Sequence, residues 1–149
     1  MNNTTFFNMI KRLKDLYDSF IYRSAKECNL TKKEADVLLF LYNNKNCDTA
    51  KDIINKRGFS KAYVSKAITL LEKKRYIVIE NDKLDKRYQR IRLNYDSINE
   101  IIPVLKRTQE DFLSIITKGI TNEELEIHKK IIDKIFDNIV ENGKGEQND

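Results

Sequence analysis

Two groups of residues in the middle of this chain have the types and spacing to do chemistry on a polyanion. Ser60, Lys61, Tyr63, Ser65 and Lys66 fall close together in sequence. A serine hydroxyl both donates and accepts hydrogen bonds, and a lysine ammonium can reach paired acceptors such as O6 and N7 of guanine. The second group is cationic. Lys51, Lys56, Arg90 and Arg92 look like neutralisers of phosphate, and Asp85, Lys86 and Arg87 close a run rich in Lys and Asp. If roughly six to ten phosphates were neutralised, affinity would fall by about 10³ to 10⁵ between 50 and 200 mM salt.

The charge balance agrees. Residues 49 to 93 hold 13 Lys and Arg against 5 Asp and Glu, or +8, while the rest of the chain holds 15 against 18, or −3. One segment therefore exceeds the net +5 of all 149 residues. Other chemistries find no footing. One histidine, His128, and two separated cysteines, Cys28 and Cys47, cannot build a usual zinc site, and no Ser-His-Asp or Cys-His arrangement is suggested. No cofactor, metal or enzymatic activity is expected. The charges of Lys26 and Glu27 beside Cys28 offset each other, so inert thiols are favoured over redox sensors. His128 reads as a core or interface residue. The longest apolar run, Val37 to Tyr42, is far short of the ~20 residues that span a bilayer, and the N-terminal residues are not expected to form an export signal. A cytoplasmic location is expected.

Helices must position these groups. Phe6, Ile10, Leu13, Tyr17 and Phe20 recur at three- and four-residue steps and predict an amphipathic helix over 6 to 22 that stops near Asn29. Thr31 with Glu34 is a capping-box signature, and the apolar stretch that follows predicts a core helix. Thr49 predicts the cap of a third helix to about Arg57, ended by Gly58, and Ser60 caps a fourth. In that fourth helix Val64, Ala67, Ile68 and Leu71 form the inner stripe, leaving Lys61, Tyr63, Ser65 and Lys66 on the other face. Tyr63 is equally readable as half-buried packing. Residues 76 to 80 and 88 to 93 read as two strands joined by a charged loop. A further stripe runs from Asp96 to Thr117, kinked or started by Pro103, and a last helix opens at Thr121. The first helix and the last two carry apolar stripes but are separated by the basic module. Pairing with a second copy would cover Phe6, Ile10, Leu13, Phe112, Ile131, Ile135 and Ile139, although packing within one chain is the alternative.

This order of elements resembles the MarR family of winged-helix transcription regulators over nearly the whole chain. The most specific match is Asp85-Lys86-Arg87 followed by Leu93, which looks like that family's wing motif. Lys51 to Ile54 and Tyr63 to Ile68 look closer to its SarA branch. The resemblance implies a mainly α fold with a small β-ribbon: a winged helix-turn-helix DNA-binding lobe at 31–93, dimerisation helices at 5–28 and 95–141, and a flexible tail at 142–149, all in one domain, 1–149. It places Ser60, Lys61, Tyr63, Ser65 and Lys66 at the major groove of double-stranded DNA and Arg87 at the minor groove, with Asp85 holding the wing tip. A narrow A·T-rich minor groove would attract Arg87, and an ordinary turn salt bridge to Asp85 is the rival reading. The implied function is a homodimeric regulator, most simply a repressor, on a pseudo-palindromic A·T-rich operator. A protein-binding winged helix or an architectural DNA-binding protein without an effector are the alternatives. Relatives of this kind also imply a small phenolic or anionic effector between arms and lobe, where Tyr17, Tyr22 and Tyr42 are lining or core. Three positions depart from the family pattern: Arg75 stands for Gly, Asn94 for Thr, and Arg57 at a usually apolar place.

Overall fold

The second helix is the element on which the others are assembled. In the computed structural model, which describes residues 2–143, α2 (Lys32–Asn43) buries every residue from Glu34 to Leu41. It starts at the expected capping box. The Thr31 hydroxyl accepts from the Glu34 amide, and the Glu34 carboxylate accepts from the Thr31 amide at 2.7 Å.

The chain divides into two compact units, one ending at Leu113 and one beginning at Ser114. In the first, α1 (Asn3–Glu27) precedes α2, and α3 (Ala50–Arg57), α4 (Lys61–Lys73), β1 (Ile77–Asn81) and β2 (Gln89–Leu93) follow it. Then come α5 (Tyr95–Ile98) and α6 (Ile101–Ile116). Ile21 and Ala25 of α1, Ile53 of α3, Val64, Ala67 and Leu71 of α4, and Ile98 and Leu105 close over the apolar side chains of α2. The two strands are antiparallel, in register from Ile77 opposite Leu93 to Asn81 opposite Gln89. Alternation buries Ile77 and Ile91 and exposes their neighbours Val78 and Arg92. A mainly α chain with a small β-ribbon is thus what the sequence folds into.

Of the two readings of Pro103, a kink or a true start, the structure has the start: the stripe from Asp96 to Thr117 is divided into α5 and α6. A proline ring clashes with the carbonyl four residues earlier, here Asn99, so Pro103 cannot sit deep inside a continuous helix. It occupies the first turn of α6, where its missing amide proton has no partner to lose.

Two of the departures from the family pattern are linked. Arg75 follows α4 with a left-handed φ of 60°, a conformation glycine adopts without penalty and a side-chain-bearing residue at a cost of about 1–2 kcal/mol. The turn is a Schellman motif: Tyr76 donates to the Leu71 carbonyl at 3.0 Å and Arg75 to the Glu72 carbonyl at 2.9 Å. Asn94 then donates its side-chain amide to the Arg75 carbonyl at 2.9 Å. One substitution helps hold the backbone that the other strains.

In the second unit a turn at Gly119 leads to α7 (Asn122–Gly143), which opens with Thr121 and Glu124 exchanging capping bonds. None of its residues is buried, and Ile131, Ile132, Ile135, Phe136 and Ile139 are all exposed. Asn142 and Gly143, expected at the start of a tail, belong to α7; the remainder of that stretch lies outside the described residues.

Candidate nucleic-acid interface

The helix-turn-helix is built by local hydrogen bonds. Thr49 and Asp52 form a second capping box, with the Thr49 hydroxyl donating to the carboxylate at 2.7 Å and accepting from the Asp52 amide at 3.1 Å. Gly58 ends α3 with a φ of 66°. A side chain there would meet nothing within 4 Å, so it is the dihedral, not the space, that calls for glycine. Ser60 caps α4 by accepting from the Tyr63 amide at 3.2 Å, and its hydroxyl proton remains available to a further acceptor.

With Val64, Ala67 and Leu71 fully buried, α4 presents Lys61, Ser65 and Lys66 to solvent. Neither lysine has a hydrogen bond or ion pair among the described residues, and the same holds for Lys51 and Lys56 on the exposed side of α3. Tyr63 behaves differently. Its hydroxyl turns inward and donates to Asp36 Oδ2 at 2.7 Å, its ring lies 4.9 Å from that of Phe59, and the Lys33 ammonium sits 5.4 Å from its face. Burial, with the facing Asp36 carboxylate, holds the phenol well above its ordinary pKa. The packing reading of Tyr63 therefore describes its hydroxyl, which is committed within the chain.

The wing arginines are also committed, whereas Lys83 and Lys86 of the wing loop are exposed with no hydrogen bond or ion pair among the described residues. Arg87 forks onto Asp85 at 3.0 and 2.8 Å while its amide donates to the same carboxylate at 3.1 Å. Its side chain stays 86% exposed, so the salt-bridge reading and an outward-facing tip coexist. Arg90, expected at phosphate, bonds Asp82 and Asp48, each at 2.7 Å. Arg92, expected there too, reaches Asp48 at 3.2 Å and Glu80 at 3.8 Å. Asp82 organises the loop by accepting from the amides of Leu84 and Asp85 at 2.8 Å. The Asp85 amide, Arg90 and the Leu84 amide together pull its carboxyl down to about 2. Asp48 also ties the ribbon to the lobe through its carbonyl, which accepts from the Ile91 amide at 2.7 Å.

Of the residues assigned to dimer contacts, Ile10, Leu13, Ile131, Ile135 and Ile139 are between 40% and 63% exposed, and Phe6 is half-buried. Phe112 is not on such a face. It is 7% exposed, its ring edge-on to Tyr17 at 5.1 Å and to Phe20 at 6.0 Å, so its apolar area is covered by α1 of its own chain. Arg57, the third departure, lays its guanidinium over the rings of Phe59 and Tyr17 at 5.0 and 6.0 Å. Beside it lies a groove of about 420 Å³ lined by Lys14, Asp18 and Lys32 together with Ile10, Leu13, Tyr17, Phe59 and Phe112. Tyr17 faces this groove, Tyr42 packs under Lys106 elsewhere, and Tyr22 is exposed. Burial and the neighbouring Glu27 push the Cys28 thiol up, away from the reactive thiolate. His128 is exposed on α7, outside any core. Among the described residues no cluster of His, Cys, Asp and Glu could hold a metal, and no helix is long and apolar enough to cross a membrane.

Inference from sequence did not find Asp48, Asp36, Lys32 or Asp18. Asp36 left one trace, a charge in the middle of an otherwise apolar helix. Burial opposes the charge of Lys32, but Asp36 at 2.6 Å and Asp18 at 3.0 Å outweigh it and raise the ammonium above its ordinary value.

A capped helix-turn-helix with its second helix exposed on one face, followed by an antiparallel ribbon, defines a winged-helix lobe. Residues 29–87 match the family model described as the MarR family, so the lobe carries that family's pattern in sequence as well as in fold. The likeness extends along most of the chain in solved structures. A MarR transcriptional regulator from Methanosarcina mazei Go1 superposes with a TM-score of 0.76 at 16% identity, covering 93% of this chain and 99% of that one. A MarR family transcriptional regulator from Listeria monocytogenes, complexed with 26mer DNA, gives 0.76 at 20% identity over 95% and 91%. The MepR–DNA complex of S. aureus gives 0.71 at 19% over 93% and 96%. No curated protein matches the chain in sequence.

Proposed function

We propose that this protein is a homodimeric, sequence-specific DNA-binding transcription regulator that grips a pseudo-palindromic, A·T-rich operator in the cytoplasm and represses by blocking promoter access. The observation that carries this reading is the outer face of α4. Lys61, Ser65 and Lys66 stand exposed on a helix whose opposite face is locked into the core, and no carboxylate among the described residues neutralises the two lysines. Such a helix delivers donors to base edges in a major groove. Lys51 and Lys56 supply phosphate contacts from α3, and Arg87 meets the minor groove from the wing. Two of the three solved relatives described above are complexes with DNA.

The apolar ridges support the homodimer. A second copy would cover Ile10 and Leu13 of α1 and Ile131, Ile135 and Ile139 of α7, and a twofold axis would set the two recognition helices about 34 to 36 Å apart, one turn of DNA. The groove beside Arg57 combines three cations with aromatic walls and suits a small aromatic anion as effector.

The test is a titration of the purified protein against a labelled fragment from upstream of its own gene, with random DNA alongside, at two salt concentrations. Preference for the fragment and a steep salt dependence are expected. Equal affinity for both, or a salt-insensitive complex, would overturn the reading. In the same assay Arg87→Ala should weaken operator binding several-fold and lower discrimination for A·T flanks more than it lowers affinity for random DNA.

A further inference from the structure

A line of side chains runs from the first helix to the fourth through the middle of the lobe. Lys14 bonds Asp18 within α1. Lys32 of α2 reaches Asp18 Oδ1 at 3.0 Å and Asp36 Oδ2 at 2.6 Å, and that same oxygen accepts from the Tyr63 hydroxyl of α4 at 2.7 Å. The Asp36 carboxylate has no solvent exposure, and its Oδ1 lacks a hydrogen-bond partner among the described residues. A buried carboxylate is costly unless paired, so its two donors are not interchangeable with water. The tyrosine at the middle of an otherwise outward-facing row is thereby turned into the protein, and the bond it makes spans 27 residues of sequence.

Several features point beyond local packing. Tyr63 already has the Phe59 ring and the Lys33 ammonium to pack against. Hydrophobic anchoring of α4 is supplied by Val64, Ala67 and Leu71, which fix its depth in the lobe. The hydrogen bond that the Tyr63 hydroxyl donates to a charged acceptor adds a directional restraint on the rotation of α4. Lys61 and Lys66 flank Tyr63 on the same helix, so a small turn of α4 about its axis moves both ammonium groups relative to base edges while leaving their charge in place.

We propose that Asp36 and the Tyr63 hydroxyl form a positioning latch that sets the rotation of α4 for base reading, and that Lys32 and Asp18 tie this latch to α1. The proposal rests on the DNA-binding reading above. Asp36, Lys32 and Asp18 act through Tyr63 and touch no DNA themselves.

The experiment measures operator and random-DNA affinity for Tyr63→Phe, Lys32→Met and the double variant, with a circular dichroism melt of each. Tyr63→Phe keeps the ring and removes the bond. Operator affinity should fall about tenfold while random-DNA affinity stays within about twofold and the salt slope is unchanged. Lys32→Met should reproduce that selective loss, and the double variant should lose no more than the worse single one, because both break one latch. Wild-type affinity in Tyr63→Phe, equal losses on both DNAs, or additive losses in the double variant would overturn the latch; additivity would mean that the hydroxyl and Lys32 act independently. If either variant fails to fold, Asp18→Asn at the more exposed end of the line takes its place with the same criteria. A wild-type protein with no preference for the operator fragment would instead overturn the DNA-binding reading, independently of these variants.

Discussion

On α4, Lys61 and Lys66 project into solvent with no carboxylate beside them, whereas in the wing Arg87, Arg90 and Arg92 each meet at least one. Both regions count equally as positive in a tally of the sequence. They differ in what their charge can reach. An unpaired ammonium projects its field over roughly a Debye length, about 8 to 10 Å at physiological salt. A guanidinium clamped to a carboxylate presents a dipole, whose influence fades over a shorter distance. The recognition helix is thus equipped to attract and the wing arginines to be placed, with Lys83 and Lys86 as the unpaired cations of the wing. Asp48 shows this most directly, since one carboxylate receives Arg90 and Arg92 and so joins the ribbon to the connection before α3.

The contrast can be broken in three ways. Replacing Lys61 and Lys66 together by Ala should have the largest effect, lowering operator affinity by about 10² to 10³, since each lysine withdrawn from a base edge costs about 1–3 kcal/mol, as read by fluorescence anisotropy. A loss below about fivefold would mean that the helix does not do the reading. Arg90→Ala should come next, and through order rather than charge. With its bonds to Asp48 and Asp82 gone, the loop amides of Leu84 and Asp85 should exchange faster with deuterium and operator affinity fall about tenfold, while the salt slope stays as it was. A slope flattened by one unit would return Arg90 to the phosphate contacts expected from its charge. The smallest effect should come from Lys56→Ala, which is expected to weaken all sequences alike and to flatten the slope by about one unit, against almost none for Arg92→Ala.

What was legible beforehand was local. Thr31 with Glu34 and Thr121 with Glu124 announce their helices because the partners lie three residues apart, and the stripe on α4 follows from helical spacing alone. Arg90 and Asp48 are 42 residues apart, and Tyr63 and Asp36 are 27 apart. No periodicity links such pairs, so cations that are clamped looked identical to cations that are not. Phe112 shows a second blind spot. An apolar stripe says that a face is covered and is silent about which chain covers it, and α1 of the same chain covers this one. Arg75 is a third case: nothing in an arginine signals a left-handed turn, and only the resemblance, whose pattern has glycine at this place, hints at it.

The last helix has a consequence for the cell rather than for the fold. A helix of 22 residues with no fully buried side chain gains little stability from packing, which is where most helices in proteins get theirs. On the proposed homodimer another copy supplies that packing, so scarcity itself would leave the protein partly unstructured and unable to span two half-sites. Abundance then becomes an input alongside any small molecule, with occupancy of the operator rising more steeply than the number of chains made.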